Sequence, residues 1–116
     1  MSSNLIGDAI LFLKGKDGRS VNHSHDLAKP ETALSPQRQL SLLVIMHQLC
    51  KNKDTQFIIA THSPILLAYP GATIYSCDSE NLSKILYTET EHYRITKQFL
   101  DNPSLYVHHL FQDPLD

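Results

Sequence analysis

Apolar and polar positions fall in blocks along this chain. The longest apolar block lies between residues 40 and 50, where Leu40, Leu42, Leu43, Val44, Ile45, Met46, Leu49 and Cys50 sit close together. Ser35-Pro36 precedes it, a capping hydroxyl followed by a residue suited to the first helical position. This pattern predicts a helix over 36–52, apolar over most of its circumference and so deeply buried. Lys51, Asn52 and Lys53 follow, placing cations where the helix dipole favours them. Phe57-Ile58-Ile59-Ala60 is a short apolar run and predicts a buried strand over 56–60. It breaks at Thr61-His62-Ser63-Pro64, and one or two helical turns are expected over 64–68.

Further strands are expected over 72–76 and 83–87, the second with Ile85 and Tyr87 on one face, and with turns at Pro70-Gly71 and over 78–81. A helix from Thr90-Glu91 to about residue 100 should stop at Asn102-Pro103, and a last helix should span 104–111. Near the start, Ala9-Ile10-Leu11-Phe12-Leu13 leads into Asp17-Gly18, which predicts a hairpin over 8–22; a helix over 4–13 is the alternative. Residues 22–30 read as polar and irregular. The order helix, strand, helix, strand predicts an α/β fold with a small, mostly parallel sheet.

Composition narrows the function classes. The apolar share is 41% and the charged share 19%, as in globular proteins. With 116 residues the chain is one domain or part of one. A net charge of −2 gives no electrostatic case for nucleic acid. Seven histidines add positive charge only below about pH 6.5. Cys50 and Cys77 do not form a disulfide framework and are expected as thiols. The first residues lack a signal-peptide pattern, and no apolar run is long enough for a membrane span, so a cytoplasmic location is expected.

Two stretches then carry a resemblance. Pro30-Glu31-Thr32-Ala33-Leu34-Ser35-Pro36-Gln37-Arg38-Gln39-Leu40 is followed, after one helix, by Gln56-Phe57-Ile58-Ile59-Ala60-Thr61-His62-Ser63-Pro64. The pair resembles the C-terminal half of ABC-type (SMC/RecF-like) AAA-family ATPases, with a D-loop at 33–36 and the H-loop histidine at His62. The likeness continues through 68–75, 89–93 and 99–103, covering roughly residues 29–111. It implies a partial P-loop NTPase (ABC-ATPase-like) core with flanking helices and a C-terminal helical tail. It also implies a divergent N-terminal segment over 1–28 and an ATPase-like lobe over 29–116. Gly18-Arg19-Ser20 and Ser24-His25-Asp26 resemble the region of the family's signature motif more weakly.

The departures from the family bear directly on chemistry. No Gly-x-x-x-x-Gly-Lys-Ser/Thr occurs anywhere, so no phosphate-cradling loop is encoded. Aligned on Pro30, the family's magnesium-holding aspartate falls on Ala28 and its catalytic glutamate on Lys29. Alanine offers no oxygen to magnesium, and a charged lysine accepts no proton.

Candidate residues follow from these two readings. By resemblance His62 is a phosphate sensor; its plain reading is a loop histidine that caps local backbone. By resemblance Ser35, Pro36, Gln37 and Arg38 form a D-loop crossing a dimer interface, with Ser35 and Gln37 joining His62 as nucleotide-facing positions; their plain reading is an N-cap and a solvated first turn. Lys29 and Glu31 read as a solvated loop, with a remnant of nucleotide machinery as the alternative. His23, His25 and Asp26 form a His-x-His-Asp pattern too sparse for a metal site. Asp26, His62 and Ser63 or Ser24 make a hydrolase triad only on paper, without a nucleophile elbow.

The expectation is a degenerate ATPase-like protein acting by self-association or by pairing with an intact ATPase subunit, without autonomous ATP hydrolysis. ATP and magnesium would enter only with a partner chain. The alternative is an ATP-hydrolysing subunit whose site another chain completes.

Overall fold

The structure, a computed structural model, describes residues 9–14, 23–51, 54–78 and 81–112. Strands β1 (Ala9–Lys14) and β2 (His23–Ala28) come first, then a 3-10 turn over Pro30–Ala33 and helix α1 (Pro36–Cys50). Strand β3 (Thr55–Thr61), a 3-10 turn over Leu66–Ala68 and strands β4 (Thr73–Asp78) and β5 (Asn81–Ile85) follow. Another 3-10 turn, Tyr87–Glu89, leads into helices α2 (Glu91–Asp101) and α3 (Pro103–Leu110).

The five strands form one sheet in the order β2-β3-β1-β4-β5. The fold is α/β, as the pattern implies, but the sheet is mostly antiparallel, which corrects the expectation of a mostly parallel one. Only β2 and β3 pair in parallel; β1 runs against both β3 and β4, and β5 against β4. The reason is positional. Strands β2, β3 and β4 do point the same way, but β1 inserts between β3 and β4 in the opposite sense.

The N-terminal half holds two further corrections. The apolar run at 9–14 is a strand, not a helix, and its neighbours are β3 and β4, so it forms no hairpin with β2. The Asp17-Gly18 turn lies outside the described residues. The polar stretch expected to be irregular is strand β2. It sits at the sheet's edge, where polar residues are tolerated on one side, and its register with β3 runs from His23↔Thr55 to Ala28↔Ala60.

Strand alternation builds the core. Ala9, Leu11 and Leu13 of β1, Phe57 and Ile59 of β3 and Ile74 of β4 are buried together with Met46 and Leu67. Helix α1 covers this face through Leu42, Leu43, Met46, Leu49 and Cys50, a stripe at helical spacing. Deep burial of the whole helix was the expectation; instead only Gln39 and Met46 are buried, while Leu40, Val44 and Ile45 are 48%, 55% and 50% exposed. A helix on one sheet face has one apolar stripe to bury, and α1 carries more than one. On the other sheet face Ile10, Phe12, Ile58, Ala60 and Tyr75 are half-buried neighbours across the strands.

Cys50 is half-buried and Cys77 buried, both as thiols, and burial pushes the Cys50 thiol up from its ordinary value. Helices α2 and α3 meet at Asn102, where Phe99 lies edge-on to Tyr106, centroids 5.8 Å apart. No helix of the described residues is long and apolar enough to cross a membrane.

The two sides of α1 should respond differently to truncation. Met46→Ala should destabilise the fold by about 2–5 kcal/mol in urea denaturation, whereas Val44→Ala should stay within about 0.5 kcal/mol. Equal losses would mean that the outer stripe is buried.

Candidate functional site

The C-terminal ends of the parallel pair β2 and β3 lie side by side, and the chain leaves both strands there. After β2 the backbone turns through Lys29, whose φ of 49° is the only left-handed non-glycine conformation among the described residues. Its N–H still donates to the Ala60 carbonyl at 2.7 Å, so the ladder extends one step past the strand. Its carbonyl accepts from the Thr32 N–H and hydroxyl at 3.1 and 2.9 Å. This turn carries Glu31 across the end of β3.

There the Glu31 carboxylate accepts two hydrogen bonds. The Thr61 hydroxyl donates to Oε1 at 2.6 Å, and the His62 backbone N–H donates to Oε2 at 2.9 Å. Partial burial disfavours the charged form, but the Thr61 hydroxyl, the backbone N–H groups of His62 and of Glu31 itself, and the His62 ring outweigh it. The net effect holds the carboxyl below its ordinary value of 4.5. The reading of Glu31 as a solvated loop charge is therefore corrected: it is the tie between two loops.

The network continues inward. Thr61 Oγ1 also accepts from the Ser63 N–H at 2.9 Å. Ser63 Oγ accepts from the N–H groups of Ile65 and Leu66, each at 3.1 Å, and its hydroxyl donates to Gln39 Oε1. Gln39 Nε2 in turn donates to the Leu34 carbonyl at 3.2 Å. Thr61, Ser63 and Gln39 are all buried, so these bonds satisfy groups that water cannot reach. Three segments, 30–34, the first turn of α1 and 61–66, are thereby held as one unit.

The sequence candidates take separate places around it. His62 is exposed at the end of β3, its ring 5.5 Å from that of His92 at the start of α2. Ser35 caps α1, accepting from the Arg38 N–H at 3.3 Å. Gln37 is exposed, and its carbonyl accepts from the Ser41 hydroxyl at 3.4 Å. The link between the α1 start and the His62 loop runs through Gln39 and Ser63. Gln39 has no motif that singles it out, and Ser63, which in the sequence stands out only as a paper nucleophile, carries a capping signal in the Thr-x-Ser spacing before Pro64. Tyr87 adds an outer brace, donating its hydroxyl to the Pro64 carbonyl at 2.8 Å, with its ring 4.8 Å from Tyr93.

The His-x-His-Asp pattern disperses. The His25 ring stacks on Phe57 at 4.8 Å, His23 approaches Asp54 at 4.0 Å, and Asp26 accepts from the Ser24 hydroxyl at 3.1 Å. Among the described residues no group of three or more His, Cys, Asp or Glu is placed to hold a metal ion. At the strand ends Ala28 and Lys29 offer no side-chain oxygen, and the two oxygens of Glu31 accept hydrogen bonds from Thr61 and His62. The paper triad is also absent as geometry, since the Ser63 hydroxyl goes to Gln39 and Asp26 to Ser24.

Comparison of the chain with family models, with curated proteins and with solved structures gives no match.

Glu31→Gln should lower stability by about 1–2 kcal/mol at neutral pH, below the upper part of the range for hydrogen bonds to a charged group because the carboxylate is partly solvated. The pH dependence has a definite sign. A carboxyl whose folded pKa is depressed stabilises the fold above 4.5 and loses that contribution as pH falls through its lower folded value. The wild-type advantage over Glu31→Gln should therefore shrink in acid, as read by denaturation midpoints at pH 7 and below pH 4.

Proposed function

We propose that this chain is a degenerate ATPase-like protein that acts by binding protein, through self-association or by pairing with an intact ATPase subunit, and that it does not hydrolyse ATP by itself. The observation that carries this reading is the apolar surface that α1, α2 and α3 leave without internal partners. Leu40, Val44, Ile45, Leu100, Leu105 and Leu110 are each about half exposed or more. Patches of this kind mark interaction sites.

The ATPase ancestry rests on the resemblance of 30–40 and 56–64 and is supported by the juxtaposition of those stretches at the ends of a parallel strand pair. In this reading the hydrogen-bonded unit around Glu31 keeps the ancestral wall in shape, while the residues that would hold magnesium and activate water are gone.

A second reading has its own observation. His62 is exposed at the rim of that wall, where an imidazole could meet a phosphate brought by a partner chain that supplies the rest of the site. ATP and magnesium would then bind only in the complex.

One experiment separates the two. The purified chain should show no magnesium-dependent ATP hydrolysis above background; turnover by the chain alone would sink the first reading. With an intact ATPase subunit added, hydrolysis that appears and is lost in His62→Ala would favour completion in trans. Association without a change in turnover would favour the binding protein.

A further inference from the structure

A groove of about 700 Å³ runs between the C-terminal half of α1, the end of β1 and the turn at Tyr69–Gly71. Leu13, Leu43, Val44, Tyr69 and Pro70 form its apolar lining. Lys14, Lys51 and His47 also line it, and no acid does among the described residues. Its volume lies within the range of working binding sites. Helix α1 carries no acidic residue from Pro36 to Cys50, so nothing on that element neutralises the lysines. The fitting occupant is therefore apolar with a negative charge close by.

This chain carries such a segment. Phe111 is 80% exposed and Leu110 67% exposed, the two most exposed large apolar side chains among the described residues. The sequence then runs Gln112-Asp113-Pro114-Leu115-Asp116, adding one more apolar residue and two acids with no cation. Groove and segment thus match in apolar character and in opposite charge.

We infer that the groove beside α1 receives the C-terminal segment of a second copy, with Leu110 and Phe111 on its apolar lining and Asp113 and Asp116 facing Lys14 and Lys51. The inference rests on the self-association branch of the proposed function and names its surface. Exchanged reciprocally, the contact closes as a two-fold dimer.

The test is association of purified full-length protein by light scattering and sedimentation, from low micromolar to several hundred micromolar, with folding of each variant checked by circular dichroism. Val44→Glu in the groove and Phe111→Asp in the tail are both exposed positions, and each should weaken dimerisation at least tenfold. Mixing a Lys51→Glu chain with an Asp116→Lys chain should restore a dimer that Lys51→Glu alone forms weakly.

Dimers that survive both Val44→Glu and Phe111→Asp would overturn the groove assignment while leaving self-association through another face intact. A wild-type monomer at all concentrations would overturn the inference and the self-association branch together, leaving only pairing with another ATPase subunit. A monomer whose groove signals in NMR respond to Phe111→Asp would show the tail bound within its own chain and would overturn the exchange. Saturable decanoate binding in the groove, unaffected by Phe111→Asp and without any dimer, would assign the groove to a small amphipathic anion instead.

Discussion

The placement of the chain segments at the C-terminal ends of β2 and β3 depends on one carboxylate. Glu31 lies at the far side of a left-handed turn, and its two oxygens accept from a hydroxyl and an N–H on the neighbouring strand's exit. A left-handed non-glycine residue such as Lys29 costs about 1–2 kcal/mol. That strain persists because hydrogen bonds on both sides of the turn fix it: the Lys29 N–H to Ala60, and Glu31 to Thr61 and His62. From Thr61 the bonding passes to Ser63, Gln39 and Leu34, so the start of α1 inherits its position from the same anchor.

This arrangement gives residues 30–40 and 56–64 a structural role: the Glu31 carboxylate fixes the turn after β2 against the exit of β3. What the fold leaves undone is burial: α1 has more apolar surface than one sheet face can cover, and α2 and α3 carry apolar side chains into solvent.

The legible parts of the fold were those set by local pattern. Ser35-Pro36, the apolar run at 57–60 and Asn102-Pro103 each mark an element boundary within a residue or two, because capping and strand burial are local effects. The edge strand β2 was not legible, since His23-Ser24-His25-Asp26 has strand geometry only by pairing with β3. The antiparallel sheet was hidden for a similar reason: the placement of β1 between β3 and β4 is a non-local choice that periodicity does not record. At the candidate site, His62 stood out by motif, whereas Glu31, Ser63 and Gln39 matter through contacts across 24 to 31 positions of sequence.

The central claim is that Glu31 and the β3 exit are energetically one unit, and a double-mutant cycle measures that coupling directly. Wild type, Glu31→Gln, Thr61→Val and the double variant would be unfolded in urea at neutral pH. The account predicts a coupling energy of about 1 kcal/mol or more, with the double variant less destabilised than the sum of the two single ones. Effects that add to within about 0.3 kcal/mol would contradict it.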